Sequence, residues 1–345
     1  MWGLRLLYCP CFLCSKNGDF MAKKLQVLAI MPESIGGRLT SSSLFDGFRL
    51  LGHEVVVFDT LYDSFDVFDE LLAANSFDFV VSYDYTAIIY KNKLGLKIPS
   101  INYFSDVVDD EHSGKYWREY YDFLKEDDNY VFYWDRELCE KKKNEIKNLF
   151  YMPHFVNTRV YRNLNLEAEY ELMFAGRLDS DFRLKIVLEL MKRYEHLRFG
   201  WFAHQKHFEQ AVSRVEKEAE KELLKKNYRG FVDTEEKMSE VINKSKIVFN
   251  YNAQGIGSLN YRTYQVIACE KLLLSDYRAD GERLFSPGKD FVMFSSFEDL
   301  CKKIDYFLYN ESEYNKIVLA GRETVEKNYC LLYTSPSPRD TERWR

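Results

Sequence analysis

The sequence predicts an α/β protein of two domains, each built on a parallel β-sheet. Short apolar runs of the strand type alternate with longer stretches of helical periodicity, as in parallel strands joined by covering helices. This order occurs twice, and an irregular polar stretch at residues 153–169 separates the two sets. A chain of 345 residues that is 46% hydrophobic has enough apolar surface for two cores.

The first predicted domain, residues 21–153, opens in the manner of a Rossmann unit. An apolar strand at residues 25–31 leads through Gly36 and Gly37 into a Ser-rich helix and a second strand, in SLFDGFRLLGHEVVVFD. The two glycines either admit a phosphate or an acceptor close to the backbone or form a plain tight turn. Further strands are expected at 77–82, 100–104 and 130–134, and helices at 63–74, 115–124 and 137–149.

The second predicted domain, residues 154–329, repeats the alternation. Its first strand, 171–175, leads into a helix at 181–194 for which Asp181 is the expected N-cap. Further strands are expected at 197–202, 247–251, 271–275 and 291–294, and helices at 207–226, 234–243, 259–269, 297–309 and 311–328. We expect the two sheets to face a cleft into which helix N-termini point, which suits an anionic ligand.

Both ends of the sequence are expected to be foreign to the fold. Residues 1–14 are apolar and contain three of the seven cysteines, and Met21 directly precedes the basic start of the first strand, so we interpret residues 1–20 as a non-native leader. Residues 330–345 break the preceding helical pattern and resemble translated adapter sequence.

Composition narrows the classes of partner. A formal charge of −6 gives no overall attraction to nucleic acid or to an anionic membrane. No apolar stretch approaches the ~20 residues that span a bilayer, although peripheral membrane contact stays open. The single, widely spaced cysteines Cys139, Cys269 and Cys301 favour reduced thiols and a cytoplasmic location.

The candidate binding residues follow strands of the second domain. Arg177 comes directly after a strand and Arg183 lies in the first turn of the next helix, and a guanidinium fork suits phosphate oxygens. The same two arginines could instead form a solvated pair bound to Asp179 or Asp181. Further on, the start of the helix at 259–269 offers free amides and a positive dipole end to an anion. Its candidate residues are Gly257, Ser258, Leu259, Asn260, Arg262 and Gln265.

The segment SLNYRTYQVIACEKLLLSDYRADGERLFSPGKDFVMF, which begins at Ser258, resembles the signature of group 1 glycosyltransferases. It is most similar to the spore-maturation CgeB-like branch. The segments FAGRLDSDFRLKIVLELM, YMPHFVNTRVY and ESEYNKIVLAGRETVEKNY are similar to other parts of that family. The resemblance extends over residues 151–329 and, in general pattern only, over 25–153.

The resemblance implies a GT-B type glycosyltransferase. Its second domain would hold a nucleotide-diphosphate sugar, and its first would bind a glycan, lipid or protein acceptor. Arg177 and Arg183 would stabilise the leaving diphosphate, with Arg262 in support. The amides of residues 258–260 would cap the diphosphate, Gln265 would hold the ribose, and Glu282 would take an acidic role in the cleft. No metal or other cofactor is expected, because arginines and helix N-termini supply the positive field.

The sequence also departs from the family pattern. The family carries two glutamates eight residues apart, and the matching positions here are Gly257 and Gln265. A glutamine can hydrogen-bond ribose hydroxyls but supplies no charge. Two alternatives therefore stay open. One is a nucleotide-sugar epimerase of the same double fold, and the other is a catalytically silent protein that binds a sugar or a partner in surface assembly.

Overall fold

The computed structural model describes residues 24–84, 86–93, 95, 98–104, 123–252 and 255–331. They divide into two compact units. The first takes in residues up to 155, the loop 255–258 and the residues from 328 onward, and the second takes in 156–252 and 259–327. The predicted joint after residue 153 lies two residues before this division. The predicted leader, the predicted tail beyond Leu331 and residues 115–122 of a predicted helix lie outside the described residues.

The first unit contains a parallel sheet with the strand order β2-β1-β3-β4-β5-β6 in its described part. Its strands are β1 (Gln26–Met31), β2 (Glu54–Asp59), β3 (Phe79–Ser82), β4 (Ser100–Phe104), β5 (Asn129–Tyr133) and β6 (Leu149–Tyr151). In β1, Val27 and Ala29 enter one apolar cluster while Leu28 and Ile30 enter another. Since neighbouring strand residues point to opposite faces, both faces of this strand are buried, which explains its uninterrupted apolar sequence.

Helices α1 (Ile35–Leu50), α2 (Phe65–Ala74), α3 (Thr86–Lys93) and α4 (Arg136–Lys142) belong to the first unit. The predicted helix at 137–149 is wrong beyond Lys142. Residues 149–151 instead pair with Val131, Phe132 and Tyr133 as a strand. Helix α3 is absent from the sequence-based prediction.

The second unit contains a parallel sheet with the order β11-β10-β9-β7-β8 in its described part. Its strands are β7 (Tyr170–Ala175), β8 (Phe199–Phe202), β9 (Ser245–Asn250), β10 (Leu272–Asp276) and β11 (Val292–Phe294). Numbered within each unit, both sheets begin with the order 2-1-3-4-5 of doubly wound proteins. The predicted α/β class with parallel sheets is therefore confirmed.

The helices of the second unit are α5 (Asp181–Arg193), α6 (Gln205–Ser213), α7 (Glu218–Asn227), α8 (Glu235–Asn243), α9 (Tyr261–Ala268), α10 (Ala279–Leu284), α11 (Phe297–Tyr309) and α12 (Glu311–Asn328). The expected N-cap Asp181 is wrong, because the Ser180 hydroxyl accepts the Arg183 N–H and Asp181 is the first helical residue. The single helix expected at 207–226 is also wrong. The helix is interrupted around Val215, whose side chain is buried in the core. At the interruption, Arg214 Nη1 donates to the Leu178 carbonyl (2.6 Å).

The glycine at position 321 lies where helix α12 packs most closely. A Cβ atom there would overlap the Asp290 carbonyl oxygen and lie 2.8 Å from Ile267 Cγ2. Gly36, in helix α1, has nothing within 4 Å of such an atom.

We expect Gly321→Ala to lower the free energy of unfolding by about 2 kcal/mol, because overpacking exceeds the gain in helix propensity. Gly36→Ala, the matched control, should leave it unchanged or raise it by up to about 1 kcal/mol. Urea denaturation of both variants measures the difference. Equal effects at the two positions would contradict the packing argument.

Candidate functional site

The carboxyl ends of β7 and β9 lie side by side where the strand order of the second sheet reverses. Ligands of doubly wound proteins bind outside the carboxyl ends of the strands at such a point. Strand β7 continues here into Gly176 and Arg177, and β9 continues into Tyr251. The Trp201 indole N–H donates to the Gly176 carbonyl (3.0 Å) and so anchors the turn that follows β7.

Arg183 ties these two strand ends together. Its Nη1 donates to the Arg177 carbonyl (3.0 Å) and its Nη2 to the Tyr251 carbonyl (2.7 Å). The side chain is only 11% exposed. Burial lowers the pKa of the guanidinium, and the Asp179 carboxylate opposes this shift. Both terminal nitrogens thus serve the protein's own backbone, and Nε is buried without a partner among the described residues.

Arg177 is the more available of the predicted pair. Its side chain is 51% exposed, and its Nε lies 3.3 Å from Asp179 Oδ2. Asp179 Oδ1 lies 3.7 Å from Arg183 Nη1, so both arginines share this carboxylate. Asp181 pairs with Arg214 instead. Two guanidinium groups against one carboxylate leave one net positive charge at the strand ends, which favours an anion.

A buried polar cluster, absent from the sequence-based prediction, continues the site to the end of β10. The Asn252 main-chain N–H and side-chain Nδ2 donate to Asp276 Oδ1 (2.8 and 2.6 Å). Arg278 Nε donates to Asp276 Oδ2 (2.8 Å), and its Nη2 donates to the Asn252 carbonyl. An Asp and an Arg directly after the apolar run LLLS were the available signal.

Some of the polar groups at the start of helix α9 already have hydrogen-bond partners within the protein. Asn260 is its N-cap but makes no side-chain hydrogen bond to the helix. Its amide side chain instead exchanges two hydrogen bonds with that of Asn250 (3.0 and 3.2 Å). The Asn260 main-chain N–H donates to Asn252 Oδ1 (2.8 Å). Of the three predicted amide donors, this one therefore has a protein acceptor, while Leu259 follows the loop as a buried apolar residue.

Arg262 and Gln265 lie together in a separate environment. Arg262 Nη1 donates to Gln265 Oε1 (2.6 Å), and Gln265 Nε2 donates to the hydroxyl of the buried Tyr161 (2.5 Å). Burial lowers the pKa of Arg262 and raises that of Tyr161. Among the described residues, the guanidinium groups of Arg262 and Arg183 have no hydrogen-bond partner in common. The ribose-binding role of Gln265 stays a prediction, and both ends of its amide are occupied here.

Glu282 lies on the exposed side of helix α10. Its carboxylate accepts a hydrogen bond from the Tyr277 hydroxyl (3.2 Å) and raises the pKa of that tyrosine. Its acidic role in catalysis stays a prediction.

The remaining candidates, Gly257 and Ser258, belong to a loop that packs inside the first unit. Both are buried. The Ser258 hydroxyl accepts the Arg136 N–H at 3.4 Å.

A second polar group of the first unit surrounds His154. The His154 Nδ1 lies 3.2 Å from the Tyr83 hydroxyl and 3.3 Å from the Tyr103 hydroxyl. The Trp134 ring stacks on the imidazole at a centroid distance of 5.2 Å. Burial lowers the pKa of His154 to about 3, so the ring is neutral at physiological pH.

Within the described ranges, no three His, Cys, Asp or Glu side chains are grouped so that they could hold a metal ion. None of the helices in the described part of the chain is long and apolar enough to span a membrane.

The second half of the sequence resembles a known protein family. Residues 183–331 match the sequence model of a family described as glycosyl transferase-like. This match includes Arg183 and helix α9 but covers less than half of the chain. A comparison with curated proteins finds no match.

Solved structures resemble nearly the whole chain. Sucrose-phosphate synthase from Thermosynechococcus elongatus is 10% identical with a TM-score of 0.67, covering 90% of this chain and 96% of that one. A glycosyltransferase from Rickettsia africae ESF-5 is 14% identical with a TM-score of 0.64 and the same coverages, 90% and 96%. HepE from Anabaena, in complex with UDP and glucose, is 11% identical with a TM-score of 0.66, covering 92% and 99%.

The fold is that of GT-B glycosyltransferases. The predicted fold class is thereby confirmed in its two parallel-sheet α/β domains.

We expect His154 to make stability depend on pH. Its pKa of about 3 lies below its ordinary value of 6.5, so the unfolded chain takes up the proton first. Its contribution is complete above pH 6.5 and is lost as the pH falls from 6.5 toward 3. Between pH 6 and 4, the gap in unfolding free energy between wild type and His154→Gln should change by about 1.4 kcal/mol per pH unit. Parallel curves would contradict this, and the exposed His196→Gln is the control.

Proposed function

We propose that this protein is a glycosyltransferase that moves a sugar from a nucleotide-diphosphate sugar to an acceptor. The observation that carries the proposal is the basic pair Arg177 and Arg183 at the point where the second sheet reverses its strand order. The glycosyl transferase-like match begins at one of these residues. The structural neighbour HepE, in complex with UDP and glucose, supports the same class of donor.

The chemistry requires positive charge at this place. In the proposed reaction, the bond between the sugar C1 and the diphosphate oxygen breaks and releases the nucleoside diphosphate. The oxygen of an acceptor hydroxyl bonds to C1, and the proton of that hydroxyl passes to solvent. Negative charge grows on the diphosphate as C1 becomes oxocarbenium-like. Preorganised cations and N–H donors stabilise that charge best in a site shielded from water. The half-exposed guanidinium of Arg177 can turn toward the diphosphate, while Arg183 holds the turns that present it.

The first unit is the proposed acceptor domain. Its sheet has its own reversal point, between β1 and β3, and Gly36 and Gly37 follow β1 closely. The acceptor class we propose is a glycan, a lipid or a protein. Glu282 and the ribose-holding Gln265 complete the scheme, and Gln265 must exchange one of its present hydrogen bonds to reach a ribose.

Three finer assignments belong to the proposal. The segment SLNYRTYQVIACE supports membership of the CgeB-like branch. Transfer without a metal ion is supported by the net positive charge of the arginine pair. A cytoplasmic location is supported by the thiols of Cys139, Cys269 and Cys301, which are buried and form no disulfide among the described residues.

A silent binding protein is the second candidate, and Gly257 and Gln265 at the two positions of the family glutamates favour it. A thermal-shift panel with UDP, GDP, TDP and ADP separates the possibilities first. A ligand at 100 times its dissociation constant should add about 2.7 kcal/mol of stability. The matching sugar nucleotides are then incubated without acceptor. Slow hydrolysis of the sugar nucleotide supports a transferase, and formation of a new sugar nucleotide supports an epimerase. Binding with neither reaction supports a silent protein.

We expect Arg177→Ala to lower turnover by roughly 10²–10³, the cost of losing one charge-stabilising donor. Its thermal stability should hardly change, because the side chain is half exposed. Arg183→Ala should lower both turnover and melting temperature, because two backbone carbonyls lose their buried donor.

The matched control is Arg198→Ala. Arg198 directly precedes β8 and pairs with Glu171. It therefore lies at the amino ends of the strands, whereas Arg177 and Arg183 lie at the carboxyl ends, and its side chain is 59% exposed. It should retain full turnover. Wild-type turnover in both the Arg177 and Arg183 variants would remove the pair from the mechanism.

A further inference from the structure

One buried carboxylate joins two segments of the first unit that are 121 residues apart. Asp135 follows β5 and is the N-cap of α4, where its Oδ1 accepts the Leu138 N–H (2.9 Å). Its Oδ2 accepts the main-chain N–H of Ile256 (2.7 Å), in the glycine loop Gly255–Ser258. The next residue, Arg136, donates its N–H to the Ser258 hydroxyl in the same loop.

Capping the helix does not by itself explain an aspartate here. A cap needs one acceptor oxygen, and the hydroxyls of Ser34, Ser180 and Ser296 cap α1, α5 and α11. Asp135 is 0% exposed and makes no ion pair within the described ranges. A buried carboxylate is costly unless strong donors satisfy both of its oxygens. The second oxygen, which a serine lacks, is the one bonded to the loop.

Position 255 is built to receive this carboxylate. Gly255 has φ of +78°, which disfavours any side chain. A Cβ atom there would lie 2.6 Å from Asp135 Oδ2 and 2.6 Å from the Trp134 ring. The backbone conformation and the close approach therefore both require glycine.

We propose that Asp135 is a positioning residue that fixes the glycine loop for the anionic group of the ligand. The loop runs directly into Leu259 and the N-cap of α9, and it contains the amides of Gly257 and Ser258. Holding the Ile256 N–H on Asp135 sets the direction of the peptide groups that follow. The identity of the ligand in this role rests on the proposed function. The hydrogen bond by which Asp135 holds the loop does not depend on it.

Asp135→Asn isolates the loop contact. Asparagine keeps an oxygen for the helix cap but places an NH₂ group where the Ile256 N–H needs an acceptor. We expect hydrogen exchange at the Ile256 amide to become roughly tenfold faster or more. The dissociation constant and KM for the nucleotide ligand should rise about tenfold with kcat within about twofold, since ground-state and transition-state binding weaken together.

Two matched pairs remove a merely structural explanation. Ser296→Ala deletes a helix cap in the second unit (Asp299 N–H to Ser296 Oγ, 3.1 Å) and should leave nucleotide affinity unchanged. Gly255→Ala should weaken binding as Asp135→Asn does. Gly230→Ala should not, because Gly230 has a similar φ of +87° and open space around its Cβ position.

The outcomes separate the two proposals. Unchanged exchange at Ile256, or faster exchange with unchanged nucleotide affinity, overturns the role of Asp135. If UDP, GDP, TDP and ADP all fail to bind the wild-type protein, the proposed function falls. Inorganic pyrophosphate is then the probe, and about tenfold weaker binding to Asp135→Asn supports the positioning role, while equal binding overturns it.

Discussion

The hydrogen bonds of Arg183 to two backbone carbonyls are the interaction on which the candidate site depends. Parallel strands are held together by their ladders, but beyond the last ladder bond each chain enters a turn whose carbonyl needs a donor. Arg183 supplies both donors at once, from the first turn of the intervening helix. Hydrogen bonds from a charged group contribute about 1.5–3 kcal/mol each, which suffices to order a turn. The Arg177 side chain, in contrast, is 51% exposed.

The neighbouring polar cluster also satisfies the polar groups where strands end. Asn252, Asp276 and Arg278 form hydrogen bonds with one another at the carboxyl ends of β9 and β10, so these polar groups are already held in place by the protein itself. A site preorganised in this way need not spend binding energy on ordering its own groups. Arg262 donates to Gln265 and forms no ion pair within the described ranges, so it is a half-buried positive charge of the same unit.

Local pattern was sufficient to predict the strands that lie in the interior of each sheet. The apolar runs 27–31 in β1, 247–249 in β9 and 272–274 in β10 are continuous because both faces of these strands are covered. Short apolar runs bounded by turn signals can be recognised as strands without any tertiary knowledge. Edge strand β6 was missed because Leu149–Tyr151 is three residues long and depends on pairing with β5. The break between α6 and α7 was missed because charged residues continue through it, whereas the burial of Val215 and the bond from Arg214 to the Leu178 carbonyl depend on tertiary packing. The contact between Asp135 and Ile256 has no local signal at all. A residue that looks like an ordinary helix cap acquires its second partner from a distant loop.

The indole of Trp201 is an intrinsic fluorescent probe of the second unit. It is buried against the strands, and its N–H is bonded to the carbonyl immediately before Arg177. Indole emission responds to hydrogen bonding and to nearby charge, so a shift in the turn should change the wavelength or yield without an attached dye. Trp134 has a comparable place beside Gly255 in the first unit. The sequence has three further tryptophans, Trp2, Trp117 and Trp344. Replacing all but Trp201, or all but Trp134, by phenylalanine would assign the signal to one unit, so that each could be followed separately in a stopped-flow experiment.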